Sequence, residues 1–308
     1  MESIIREIRS YIEAIENDKA LYEEMNFSDR VDALDSLEFD VIERVESLLL
    51  TNGRHGELMG LRQYAEMVKT RLEDVDERLF QRLRDNIASR NYTSAGLRQQ
   101  IVKYAGDGPS EENEGDESYD DLDALTNGLL LIGPAPEETR EREPEMVFYQ
   151  PTPTRIVLEL VEKANFRPQD VFYDIGSGLG QVSILVHLLS GVCAKGVEFE
   201  PAYCNYARRC TKELNLSQVE FINADAREVD YADGTVFFLY TPFEGRMLEQ
   251  VLERLRDESR TRGIKLYTYG PCTLQVAQQN WLERVDQNGS EVYRLAIFKT
   301  PEQGLGAA

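Results

Sequence analysis

Two acids and a run of glycines are the residues best placed to do chemistry. Residues 171–182 read VFYDIGSGLGQV, an apolar run that ends in Asp174 and then in Gly176, Ser177, Gly178, Leu179 and Gly180, with a helical pattern starting at Gln181. This is a strand, a tight turn and a helix N-terminus. A backbone that turns sharply out of a strand and lets a ligand approach needs residues without Cβ that tolerate positive φ. The helix behind the turn offers free N–H groups and a partial positive charge. An adenosine-bearing ligand with a carboxylate suits such a turn. Glu198 stands 24 residues after Asp174, at the end of the strand-like Ala194-Lys195-Gly196-Val197-Glu198. A carboxylate at that place can accept both hydroxyl protons of a ribose diol. Glu200 is the alternative, but Pro201 follows it and the Gly-Val-Glu context favours Glu198.

Other glycine-loop and metal chemistries fit poorly. A dinucleotide fingerprint needs a sixth-position glycine where Gln181 stands, and a P-loop needs Lys then Ser/Thr after its last glycine. Cys193, Cys204, Cys210 and Cys272 form no C-x-x-C pair, and the only histidines are His55 and His187. No metal site is expected. The cysteines read as reduced, mostly buried thiols, and His55 as a turn residue between helices.

The stretch Asp174–Gly180 resembles motif I, E/D-x-G-x-G-x-G, of the class I, S-adenosylmethionine-dependent methyltransferases, matching every fixed position. The resemblance runs from about Phe148 to Thr300. It implies S-adenosyl-L-methionine as cofactor, held by Asp174, Gly176, Ser177, Gly178 and Gly180, with Glu198 on the ribose. It further implies Asp225, at the end of the strand Val219–Ile222, on the adenine amine, and a backbone N–H from Ala226 on the ring. Arg227 reads as surface. The segment Phe148-Tyr149-Gln150-Pro151-Thr152-Pro153 ahead of a helical TRIVLELVEKA looks like a subgroup with bacterial members and, more distantly, Dot1-type protein-lysine methyltransferases. There the segment closes over the methionine end of the cofactor, which makes Tyr149, Gln150 and Thr152 candidates. Thr152 reads equally as the N-cap of the helix, with Pro153 at its first position. Tyr240-Thr241-Pro242-Phe243 matches only the third and fourth positions of the D/N/S-P-P-F/Y/W motif of amino-directed DNA methyltransferases. Tyr240 and Phe243 are candidates to line a slot for a substrate amine, or Tyr240 packs on the cofactor.

These residues need a scaffold of alternating strands and helices. The motif I helix spans Gln181–Leu189 and another spans Pro201–Leu214. A continuous apolar strand, Thr235–Tyr240, fits a central parallel position buried on both faces. A helix over Phe243–Arg256, a strand over Ile264–Tyr269 and a hairpin of Trp281–Val285 with Glu291–Lys299 through Asn288-Gly289 complete the pattern. The expected class is α/β, a Rossmann-like doubly wound seven-strand sheet of order 3-2-1-4-5-7-6 across residues 148–308, with a frayed tail from Pro301.

Ahead of it, residues 1–106 read as an all-α helical bundle. Ile4, Ile5, Ile8, Tyr11, Ile12 and Ile15 share one helix face, Ser36–Leu50 forms a second helix with Ser36 as N-cap, and Asn52-Gly53 breaks it. Glu57–Ala88 carries a long apolar stripe from Leu58 to Ile87, and Ala95–Ala105 adds a fourth helix. Residues 107–147 read as an acidic linker, because DGPSEENEGDESYDD contains almost nothing to bury. A short helix over Asp120–Leu131 docks by its leucines, and PAPEETREREPE returns to charged linker; the stretch as a whole reads as a solvated interdomain linker, with an acidic lure or lid for a basic substrate as the alternative.

The formal net charge of −22 disfavours a surface that tracks nucleic-acid phosphates and favours a basic protein partner. No apolar run reaches the ~20 residues of a membrane span, and the charged N-terminus is no signal peptide, so the expectation is a cytoplasmic protein without membrane or nucleic-acid contact. The oligomeric state is open. The leading expectation is an enzyme that N-methylates a lysine or another amine, on a protein. A small-molecule methyltransferase with the bundle as lid and a non-catalytic cofactor-fold scaffold are the alternatives.

Overall fold

A computed structural model describes residues 2–51, 55–106, 121–131, 133–286, 289 and 291–301. The Asn52-Gly53 break, the acidic run from 107 to 120, most of the 286–290 turn and the tail beyond Pro301 lie outside them. The chain divides into two compact units, Met1–Asn86 with Arg98–Leu129, and Ile87–Leu97 with Leu130–Ala308. Among the described residues no helix is long and apolar enough to cross a membrane.

The first unit is helical: α1 (Glu2–Asn17), α2 (Phe27–Asp35), α3 (Glu43–Thr51), α4 (His55–Ala88), α5 (Ser94–Ala105) and α6 (Asp121–Leu130). Ile8 and Ile12 of α1 are buried with Leu37, Val41, Val45, Leu58, Leu61 and Leu72 in one core, as the three- and four-residue spacing requires. Ser36 is not an N-cap. Its φ of −62° and ψ of −40° are helical, and residues Ser36–Ile42 continue from α2 into α3 as a π-wound turn. The sequence reading missed α2, whose apolar residues are sparse, and His55 begins α4 instead of standing in a loop. Arg30 of α2 is fully buried, and its Nε donates to Asp76 Oδ1 at 2.7 Å while Nη1 donates to the Leu21 and Glu23 carbonyls.

The second unit is built on a seven-stranded sheet of order β3-β2-β1-β4-β5-β7-β6, the order expected. Its strands are β1 (Val171–Ile175), β2 (Cys193–Glu198), β3 (Val219–Asn223), β4 (Val236–Tyr240), β5 (Lys265–Tyr269), β6 (Glu283–Arg284) and β7 (Ala296–Lys299). The first five are parallel, and β7 runs antiparallel between β5 and β6. Val236 through Leu239 are all buried, because helices cover both faces of a central parallel strand. The helices are α7 (Thr154–Ala164), α8 (Gln181–Ser190), α9 (Pro201–Glu213), α10 (Gly245–Ser259) and α11 (Cys272–Val276), the last absent from the sequence reading.

Two boundaries move for local reasons. Pro153, not Thr152, is the cap residue of α7: its carbonyl accepts the first helical bond, from Ile156 N at 2.9 Å, and no side chain caps the turn. Phe243 is not helical but pairs with Met146 in an isolated antiparallel bridge, which delays α10 to Gly245.

Candidate active site

The strand order reverses between β1 and β4, and open α/β sheets place ligands at that point, beyond the strand C-termini. A pocket lies there. Its wall includes Tyr149, Gln150, Thr152, Asp174, Gly176, Ser177, Gly178, Glu198, Asp225, Ala226, Tyr240 and Phe243, so the fold gathers every residue singled out from the sequence except Gly180.

The glycine turn is pinned to β2, with the Gly176 and Ser177 amides both donating to the Val197 carbonyl at 2.9 Å. Gly176, Gly178 and Gly180 have φ of +83°, +51° and +88°, the left-handed region that favours glycine. The close approach they permit is by protein atoms. A Cβ on Gly176 would meet Pro242, one on Gly178 the Tyr149 ring, and one on Gly180 Phe221 and Ala207. Gly176 and Gly178 also lie in the pocket wall. Gly180 instead ends the turn at the head of α8, leaving that helix with no side-chain cap.

Asp174 is buried, and its carboxyl is raised to about 8, by burial first and by the negative charge of Glu198 second. Glu198 is also raised by burial, against two backbone donors: Gly178 N to Oε2 and Glu200 N to Oε1, both 2.7 Å. These two amides fix both carboxylate oxygens in the pocket wall while leaving each with lone pairs to accept from a diol. Glu200 is employed differently. It caps α9 through Ala202 N and accepts from Thr139 Oγ1 at 2.6 Å and Arg140 N at 2.8 Å.

Asp225 follows β3 and is gripped by Arg227, whose Nε lies 2.9 and 3.0 Å from the two carboxylate oxygens. These bonds hold the Asp225 carboxyl below its ordinary range. Arg227 also reaches Glu143 at 2.7 Å, so it is a structural tie to the site and not a bare surface residue.

Residues 138–147, read from sequence as the end of a charged linker, form a strap across the strand ends. Besides the Glu200 and Arg227 ties, Val147 N donates to the Pro242 carbonyl, Glu244 N to the Glu145 carbonyl and Met247 N to Glu145 Oε2 at 2.6 Å. Glu138, Arg140, Arg142, Met146 and Val147 thereby enter the pocket wall. The Arg140 guanidinium lies 4.1 Å from the centroid of Phe199, another lining residue that sequence reasoning missed. The Pro and charged residues of the strap give no periodicity to read. Phe199, next to Glu198, was the one legible signal.

The β4 end is aromatic. Tyr240 lies 4.8 Å from Tyr269, and burial, reinforced by Tyr269 and Tyr293, pushes its hydroxyl up to about 12. Thr241 has a φ of +37°, an uncommon conformation for a β-branched residue, held by Thr241 Oγ1 bonds to the Tyr269 carbonyl and the Cys272 amide. Tyr149 donates to Gln181 Oε1 at 2.7 Å, tying the segment before α7 to the first turn of α8.

The residues present fit S-adenosylmethionine. Ser177 Oγ is a buried polar atom in the pocket wall with no partner among the described residues, as expected of a group that meets a polar ligand. Glu198 presents a carboxylate with spare lone pairs, and Asp225 lies beyond it in strand order.

Residues 145–280 match the family model described as "Histone methylation protein DOT1", a span of less than half the chain. No curated protein matches the sequence. Among solved structures, an RNA methyltransferase from Salinibacter ruber in complex with S-adenosyl-L-homocysteine is 24% identical over 51% of this chain and 98% of its own, with a TM-score of 0.40. Precorrin-6y C5,15-methyltransferase from Geobacter metallireducens is 20% identical over 47% of this chain and 86% of its own, with a TM-score of 0.34.

Proposed function

We infer that the second unit, a class I S-adenosylmethionine-dependent methyltransferase domain, acts on an amine, and that this amine is a lysine side chain of a basic protein. The observation that carries the reading is the aromatic end of β4, where Tyr240 and Phe243 line the pocket. Glu198 ends β2 and Asp225 follows β3 on one side of the glycine turn, whereas Tyr240 ends β4 and Phe243 follows it on the other. That division suits a nucleoside on the β2 and β3 side and the reacting end beside β4. S-adenosylmethionine, when bound, supplies an electrophilic sulfonium methyl. Aromatic faces attract an incoming ammonium, and desolvation favours the neutral amine that can react. Tyr240, like any tyrosine, is a phenol at neutral pH, and burial pushes its hydroxyl further up, to about 12, so in this reading it orients and does not act as a base. The proton can leave the amine to water before transfer, and orientation with water exclusion is then the protein's main contribution. The DOT1 match supports a protein acceptor, and so does the net charge of −22.

The test is transfer from radiolabelled S-adenosylmethionine into a host lysate, followed by acid hydrolysis of the labelled fraction. Methyl-lysine recovered from protein is the expected product. Label confined to nucleic acid or to small metabolites would refute the reading. Loss of cofactor binding by Glu198→Ala, measured by calorimetry, ties the activity to this pocket.

A further inference from the structure

A second cavity lies wholly within the helical unit, an open groove of about 460 Å³ between α2, α4 and α6. Its floor is apolar: Phe27, Val31, Leu34, Phe80 and Ala124. Phe27 meets Phe80 edge-on at 6.1 Å, and Phe80 lies so close to Gly128 that a Cβ there would come within 2.2 Å of the ring. The rim is acidic. Asp35 stands at the end of α2, and Glu73, Asp74 and Glu77 stand along α4. Some of these acids already have partners, Glu73 with Lys69 and Glu77 with Arg84. Asp35 and Asp74 make no ion pair with another described residue. Burial first, and then the neighbouring charge of Asp32, raise the Asp35 carboxyl against the opposing effect of Lys69. A cation at this rim would relieve that repulsion.

We propose that this groove is a docking surface for a basic amphipathic segment of a partner protein, whose apolar side chains enter the floor and whose lysines or arginines meet Asp35 and Asp74. Charge complementarity selects the occupant. The chain's own neighbouring stretch is unsuited, because residues 104–139 contain no Lys, Arg or His and would bring like charge to the rim. A purely apolar partner would leave the rim carboxylates unanswered, and a simple polyamine would leave the floor uncovered. The inference does not depend on methyl transfer, since docking is read by binding alone.

The experiment is calorimetry of the full chain with a short amphipathic helical peptide of leucine and lysine, alongside a scrambled peptide of the same composition, a leucine–glutamate counterpart and spermine. The double reversal Asp35→Lys, Asp74→Lys changes two exposed side chains. Its expected effect is a weakening of the amphipathic peptide by about tenfold or more. The reversal Glu249→Lys, Glu253→Lys, on an exposed face of α10, serves as the control with the same change in net charge, and is expected to leave the affinity within about twofold. Circular dichroism melts verify that both variants are folded. Equal weakening by the two reversals, no peptide binding to the parent chain, or equal binding of the scrambled peptide or spermine would each overturn the proposal.

Discussion

The ring of Tyr149 occupies the space a side chain at Gly178 would need, with a Cβ there falling 2.3 Å from Tyr149 Cε2. The glycine turn and the segment before α7 are thus two halves of one packed surface. Gly178→Ala must displace Tyr149 and also adopt a φ of +51°. Overpacking and backbone strain together predict a loss of about 2–3 kcal/mol. Tyr149→Ala in the same chain should return the packing part but not the backbone part. Urea denaturation of the two single variants and the double variant checks this, and strict additivity would rule it out.

Arg227 joins Asp225 to the strap through Glu143. Arg227→Ala is expected to weaken S-adenosylmethionine by about three- to tenfold without abolishing transfer, since it removes charge-assisted bonds beside the nucleoside and not a contact to the methyl. Arg227→Lys should recover part of the loss. Unchanged affinity in Arg227→Ala would show that Asp225 keeps its position unaided.

Asp174 supplies a pH dependence. Its folded-state carboxyl, raised to about 8, lies above the ordinary value of 3.8. Protonation is therefore favoured more in the folded than in the unfolded chain, and the stability contribution of this group is complete at low pH and is lost as pH rises from about 4 through about 8. Asp174→Asn removes the loss. The stability difference between variant and parent, from urea curves without cofactor, should move in the variant's favour across that window. A pH-independent difference would place the Asp174 carboxyl in its ordinary range.

The buried pair in the helical unit predicts a different response. Asp76→Ala leaves the Arg30 guanidinium, 0% exposed, without its carboxylate. Breaking such a pair costs about 3–5 kcal/mol. Chemical denaturation followed by helical circular dichroism measures it. A cost near that of an exposed ion pair, below about 1 kcal/mol, would mean that water reaches Arg30.

The parallel part of the sheet was legible because its strands carry local signals. VFYDI ends in glycines, TVFFLY is continuously apolar, and Glu198 and Asp225 sit where the strands stop. The long stripe of α4 was equally plain, since one face repeats over many turns. What escaped reading depends on distant partners. Ser36 has the chemistry of a cap, yet apolar Leu37, Val41 and Ile42 are buried by a turn that keeps winding. The expected hairpin shrinks to Glu283–Arg284 against Ala296–Lys299, where Asp286 accepts from the Ile297 amide and pairs with Arg284. The strap has no periodicity of its own, and its place comes from Glu200, Arg227 and Glu244, all far downstream.

That separation in sequence governs when the pocket can form. The tie from Glu143 to Arg227 spans 84 residues and that from Glu145 to Met247 spans 102. Neither partner is in place until β3, β4 and the start of α10 have assembled, and closing loops of this length is paid in chain entropy before any contact returns it. The expected order is that the sheet forms first and the strap closes last. In the native ensemble the same segment is expected to be among the first to open, and the amides tied across it, Val147 N and the Glu145-bonded Met247 N of α10, should lose protection from hydrogen exchange well before those of β1 and β4.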